Sequence, residues 1–198
     1  MGKESVNKKI VYVFSEPGKE NTEKVIEAVK ERVSEENIGW IVVASATGET
    51  GVKVAEAFRD TNVRIVVVAE SASMTPPKEE YVKKLKEFGV PLLRGVHAFS
   101  GVNESYNRLY GGVSVSSVVA HTLRRFSQGV KVAVEVVLMA ADAGLIPLDQ
   151  EVISIAGTGR GADTALIIRP STTSKFFDKE QGLEIREIIA MPRKKRFY

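Results

Sequence analysis

The residues best suited to chemistry begin at Ser45-Ala46-Thr47-Gly48-Glu49-Thr50-Gly51, a run of hydroxyls and glycines. It joins the β-branched stretch Ile41 to Ala44 to a segment in which Val52, Val54, Ala55 and Phe58 recur at helical spacing. The first turn of a helix leaves backbone N–H groups without partners, and its aligned peptide dipoles put partial positive charge there, so an anion is stabilised at that end. Gly48 and Gly51 lack the Cβ that would keep a ligand away from the backbone, while Ser45, Thr47 and Thr50 offer hydroxyl donors. The same composition describes an ordinary helix N-cap, so phosphate cradle and cap both stand.

A second stretch, Gly157-Thr158-Gly159-Arg160-Gly161-Ala162-Asp163, has the glycine density of a nucleotide loop. A dinucleotide fingerprint needs a helix opening at its last glycine, whereas the apolar run Ala165 to Arg169 predicts a strand here. No Gly-Lys-Ser/Thr triplet is present, so a Walker A loop is excluded as well. What remains is a glycine-rich hairpin. Arg160 could clamp a phosphate or stack on an aromatic ring, and Asp163 could orient it or accept a hydrogen bond from a ligand; the alternative is a hairpin tip with solvated charges.

Of the two histidines, His97 falls where a short strand is expected to end, a position suited to a site role. His121 lies in an apolar, serine-containing helix and reads as a core or interface residue. Lys131 and Glu135 sit at i, i+4 and read as a surface pair. The histidine and carboxylate spacings supply no metal ligand set, and no Ser/His/Asp order stands out among the many serines, so no catalytic residue is assigned.

These residues need a scaffold of alternating elements. Strands are predicted over Lys9 to Ser15, Ile41 to Ala44, Arg64 to Ala69, Pro91 to Val96, Glu151 to Ala156, Ala165 to Arg169 and Leu183 to Ala190, the last near an edge. Helices are predicted over Glu23 to Glu35, about Val52 to Phe58, Tyr81 to Phe88, Val113 to Phe126 and Val130 to Ala143, with Asn103 to Tyr110 helical or irregular. Parallel βαβ connection would bring the loops at Glu16 to Gly18, His97 to Gly101 and Gly157 to Asp163 to the same carboxyl edge as Ser45 to Gly51.

The 198 residues, 43% hydrophobic and 27% charged, suit one well-filled α/β domain over 1–198. No apolar run approaches the roughly 20 residues that span a bilayer, and MGKESVNKK lacks the apolar core of a leader, which predicts a cytoplasmic protein with no membrane partner. The absence of cysteine excludes disulfides, thiolate nucleophiles and zinc–sulfur sites. A net charge of +3, leaning on Arg193-Lys194-Lys195-Arg196, provides no broad basic face for nucleic acid, and that tail reads as a solvated end. Abundant Lys and Glu with few glutamines suggest a heat-tolerant source.

The stretch IVVASATGETGVKVAEAFRDTNVRIVVVA resembles the phosphate-binding βαβ unit of the pyruvate kinase carboxy-terminal domain. Across nearly the whole chain, FSEPGKENT, VASATGETG, HAFSGVNES, LRRFSQGVKVAVEVVLMAADAGLI and IAGTGRGADTALII are similar to archaeal stand-alone proteins of that domain family, which lack the kinase barrel. The resemblance implies a three-layer α/β/α sandwich with a mostly parallel central sheet and an antiparallel hairpin near the carboxyl terminus. It also implies association with flavin mononucleotide (FMN), and it does not imply pyruvate kinase activity. By similarity, the phosphate would rest on Ser45, Thr47, Gly48, the Glu49 backbone and Thr50. The remaining cofactor-binding residues would be His97, Gly157, Thr158, Gly159, Arg160, Gly161 and Asp163, with Arg160 toward the flavin. Glu49 departs from the pattern, because a carboxylate beside a phosphate is unfavourable unless its side chain turns outward.

Two functions follow as expectations: an FMN-binding protein, in which flavin could carry electrons, and a non-catalytic sensor of a phosphorylated metabolite. A third, an oligomeric scaffold, would use the apolar helices from Val113 to Ala143 as its interface. That helix pair predicts a homo-oligomer in any case.

Overall fold

In a computed structural model, residues 6–74 and 76–197 are described; the opening of the MGKESVNKK stretch lies outside them. One sheet contains β1 (Tyr12–Phe14), β2 (Trp40–Ala44), β3 (Arg64–Ala69), β4 (Leu92–Arg94), β5 (Val152–Ala156), β6 (Thr164–Arg169) and β7 (Glu184–Pro192). Their spatial order is β1-β7-β6-β5-β2-β3-β4. Only β6 runs against its neighbours, pairing antiparallel with β5 and β7, while all other pairs are parallel. The carboxyl ends of the other six strands therefore share one edge.

The β-branched runs are central because both of their faces are covered. In β2, Ile41 and Val43 point to one apolar layer and Val42 to the other, all three fully buried. The first layer receives α1 (Thr22–Glu36), α2 (Glu49–Ala57) and α3 (Glu79–Glu87) through residues such as Val29, Val54 and Leu85. The second is built on α6 (Gln128–Asp142), with α5 (Val115–Arg124) packed over it. The helix α4 (Val102–Tyr110) buries no residue, and Val102, Tyr106, Leu109 and Tyr110 form an apolar stripe at i, i+4, i+7 and i+8 facing outward. Among the described residues no helix is long and apolar enough to cross a membrane.

The topology decides where a ligand can sit. From β2 the chain crosses over through α2 to β3 and through α3 to β4, and it returns over the opposite face through α4, α5 and α6 to β5, on the other side of β2. The order reverses between β2 and β5, and open α/β sheets form their ligand crevices at the carboxyl ends of such a pair.

One expectation changes in the structure. The first strand is confined to Tyr12–Phe14: it lies at the sheet edge, and Arg32 Nη2 takes the carbonyl of Ile10 at 3.0 Å. The last strand, expected near an edge, is the neighbour of this edge strand, between β1 and β6. The basic tail folds back, with the Arg193 N–H bonded to the Phe14 carbonyl at 2.7 Å and Lys194 paired with Glu16 at 2.5 Å.

Candidate functional site

The loop leaving β2 stays in the sheet for one more residue, as the Ser45 N–H donates to the Val68 carbonyl at 2.9 Å. The chain then turns into α2, and two side-chain oxygens cap its first turn. Ser45 Oγ accepts the Gly51 N–H at 3.1 Å, and Thr47 Oγ1 accepts the Glu49 N–H at 3.3 Å. The glycines serve packing rather than ligand approach. A Cβ on Gly48, where φ is +92°, would come within 2.7 Å of Tyr81 Cβ, and one on Gly51 would come within 2.7 Å of Val67 Cγ2. Glu49 is exposed and Thr50 buried.

The 157–163 loop is organised from below by Asp163, which is fully buried. Its Oδ2 accepts the N–H groups of Gly18 and Thr158, each at 3.1 Å, and its Oδ1 accepts the Thr164 hydroxyl at 2.8 Å. The expectation that Asp163 faces a ligand is thereby corrected: three protein donors occupy the carboxylate, and it ties the loop after β1 to the loop after β5. Thr22 Oγ1 adds a second tie by accepting the Ala162 N–H at 3.0 Å.

Two concavities flank this junction. The larger, of about 170 Å³, is the switch-point crevice; Ser45, His97, Gly157, Gly159 and Gly161 line it together with Gln128 and Lys131 from α6, and Val68, Val136 and Met139 form apolar wall. A smaller one of about 130 Å³ lies at the start of α2 between Lys19, Thr22, Glu49, Thr50, Lys53, Arg160 and Gly161. Gly161 lines both. The structure thus brings Ser45, His97 and the glycines to one chamber, and Glu49, Thr50 and Arg160 to the other. Thr47, Gly48, Thr158 and Asp163 line neither and hold the loops in shape.

Lys131 and Glu135 are not a surface pair. Glu135 is fully buried and Lys131 nearly so, because α6 is enclosed by the sheet on one side and α5 on the other. Glu135 Oε2 is bonded to Lys131 Nζ and, at 3.0 Å, to His97 Nδ1, while its Oε1 accepts the Phe99 N–H at 3.2 Å. Burial acts to raise the Glu135 pKa, but the His97 hydrogen bond and the Lys131 charge outweigh it and hold the carboxyl below its ordinary value. Burial lowers the Lys131 amine against the opposing pull of Glu135. His121 lies outside the subunit core, exposed in a groove between α4 and α5.

Sequence reasoning passed over Lys19, Lys53 and Gln128, and it placed Lys131 and Glu135 on the surface. The last two carried a readable signal: a helix as apolar all round as VKVAVEVVLMAADA is an enclosed one, so its single cation and first carboxylate had to be buried too.

The class is now defined: a three-layer α/β/α domain with an open, mostly parallel sheet and a crevice at its switch point. The chain belongs to the pyruvate kinase alpha/beta domain family, which it matches over residues 23–168. Among solved structures it is similar to a pyruvate kinase from Cryptosporidium parvum, with 15% identity and a TM-score of 0.34 over 69% of this chain and 20% of that one. A Cryptosporidium parvum pyruvate kinase in complex with ADP matches at 15% identity and a TM-score of 0.36, over 74% and 22%. An O-ureido-L-serine synthase matches at 16% and 0.31, over 65% and 40%. The chain spans about a fifth of the length of the pyruvate kinases it matches.

Proposed function

We propose that the protein binds a small phosphorylated ligand, with the phosphate among Lys19, Lys53, Arg160 and the first turn of α2 and the rest of the molecule in the switch-point crevice. The observation that carries this reading is that Gly161 lines both a concavity with three cationic side chains, Lys19, Lys53 and Arg160, and a partly apolar one. Glu49 also lines this concavity, where the charges of Lys19, Lys53 and Arg160 outnumber its own, although Lys53 is itself paired with Glu23 at 2.7 Å.

FMN is the ligand favoured by resemblance to the stand-alone family members. Its phosphate suits the cationic end, and the isoalloxazine would supply one- or two-electron redox chemistry when bound. A cavity of roughly 150 Å³ takes a benzene-sized body, so about 170 Å³ holds one ring and the rest of a flavin would lie outside the enclosed part. That volume favours the alternative, a binding module for a compact phosphorylated metabolite. Thermal-shift titration of FMN against triose and pentose phosphates, with the visible spectrum of the purified protein, separates the two. Arg160→Ala is expected to weaken the binding of whichever ligand shifts the transition by about 10- to 100-fold, the worth of a charged hydrogen bond. A variant that binds as tightly as the parent, or a protein that responds to neither class, overturns the proposal.

The proposal includes a homo-oligomer, its interface moved from the helix pair expected in the sequence to α4 and α5. Supporting this, α6 is enclosed within the subunit, whereas Val102, Leu109, Tyr110, Val113 and Val115 are all more than two-thirds exposed. Light scattering should return a multiple of the chain mass, reduced to one chain by Leu109→Glu with Tyr110→Glu; a monomeric parent would refute it.

A further inference from the structure

A charged pair inside α6 is poorly explained by stability. Replacing a buried ion pair with apolar side chains of similar volume is often neutral or stabilising, since the desolvation of two charges offsets their attraction. Here the pair is placed where it can act. Lys131 and His97 both line the switch-point crevice, and Glu135 lies behind them, fully buried and bonded to each.

The hydrogen bonds assign roles. Because its partner is a carboxylate, the neutral His97 ring carries its proton on Nδ1, which leaves Nε2 with a free lone pair. Lys131 has three N–H donors in its charged form and Glu135 accepts one of them. Lys131 thus stands in the wall of a small pocket with its amine on a carboxylate that can take and return a proton, and an imidazole of the same wall shares that carboxylate. Burial, which lowers its pKa, raises the fraction present as free amine at neutral pH. Gln128 and Ser45 provide polar groups on the same wall, and Val68, Val136 and Met139 keep the pocket partly apolar.

We propose that Lys131 is a carbonyl-capturing nucleophile, forming an imine with the aldehyde or ketone of a small phosphorylated ligand seated in this crevice. The inference rests on the phosphate reading above for the choice of ligand, and on the Lys131, Glu135 and His97 arrangement for the chemistry. The ammonium passes one proton to Glu135, and the freed lone pair forms a C–N bond to the carbonyl carbon. The carbonyl oxygen takes up that proton and a second one from the nitrogen and leaves as water, after reprotonation through the same pair. The net change is ammonium plus carbonyl to iminium plus water, with no redox partner. The charge beside Glu135 is +1 before and after, so the carboxylate stays paired at every resting stage. This is the property a buried nucleophilic amine requires, because an uncompensated charge there would be strongly destabilising.

The test uses the full chain with glycolaldehyde phosphate and sodium borohydride at pH 7, followed by peptide mass mapping. The expected result is a reduced adduct on Lys131 at low reagent excess, at least tenfold ahead of exposed lysines such as Lys24 and Lys84. Lys131→Arg, which keeps a cation beside Glu135, removes that adduct; His97→Gln slows its formation while leaving the circular dichroism spectrum intact. Glycolaldehyde without the phosphate is run in parallel. Equal labelling of Lys131 by both aldehydes upholds the nucleophile and removes the phosphate reading. Protection of the fold by phosphorylated ligands with no adduct on Lys131 upholds the phosphate reading and overturns the nucleophile.

Discussion

Replacing Glu135 with alanine will lower the unfolding free energy by about 3–5 kcal/mol, the cost of leaving a buried charge without its partner. Lys131 would remain nearly enclosed, and the Phe99 N–H and His97 Nδ1–H would lose their acceptor. The double variant Glu135→Leu with Lys131→Met removes both charges at similar volume. It is expected to recover most of the loss and retain a deficit of about 1–3 kcal/mol from the unsatisfied Phe99 N–H. Urea unfolding at pH 7 reads both effects. A double variant no more stable than the single one would show that the pair is held by something other than mutual compensation.

The pH dependence has a definite sign. Glu135 binds its proton less readily in the fold than in the unfolded chain, because the His97 bond and the Lys131 charge overcome the effect of burial. Its contribution is present above the ordinary carboxyl pKa of about 4.3 and is lost as pH falls through the lower folded value. Lys131 is also shifted down, so the fold disfavours its protonated form, and that penalty is relieved as pH rises through its folded value toward 10.5. Stability of the parent should therefore fall on acidification more steeply than that of the double variant, which lacks both groups.

The second large effect is at Asp163. Asp163→Ala strips the acceptor from the N–H groups of Gly18 and Thr158 and from the Thr164 hydroxyl at once. Each buried group left unsatisfied costs about 1–3 kcal/mol, so a total of roughly 3–9 kcal/mol is expected for the three. Asp163→Asn should be mild, because one amide oxygen can still accept both N–H groups. Its NH2 can donate to Thr164 Oγ1, whose own hydrogen turns to Ser127, 3.2 Å away. Ligand binding should follow the same split, lost in the alanine variant and kept in the asparagine one, since Asp163 shapes the loop lined by Gly157 to Gly161 rather than touching the pocket. Equal damage from both substitutions would mean that the charge itself is required.

Much of the scaffold was legible because its elements are strongly periodic. Ile41 to Ala44, Arg64 to Ala69 and Val152 to Ala156 are β-branched runs that only a doubly covered strand can bury, and the rejection of a dinucleotide loop at 157–163 followed from a strand, not a helix, coming next. The edge strand was overread, as Lys9, Ile10 and Val11 look like β1 in composition but lack a pairing partner in the sheet. The glycines at 48 and 51 were legible as special positions and not as packing positions, since Tyr81 and Val67 approach them from distant parts of the chain.

Local order along the chain determined the α/β class, the strand-loop-helix at Ser45 to Gly51 and the hairpin at Gly157 to Asp163, because propensity, capping and turn chemistry act over a few residues. Only the tertiary structure decided that Asp163 is a brace, that Lys19 and Lys53 join Arg160, and that Lys131, Glu135 and His97 form one hydrogen-bonded group. The reason is physical: a charge pair at i, i+4 has the same spacing on an exposed helix as on an enclosed one, and burial depends on what packs over it. For α6 that was set by the return crossover from β4 to β5, which lays the helix between the sheet and α5 and turns a surface motif into the wall of a pocket.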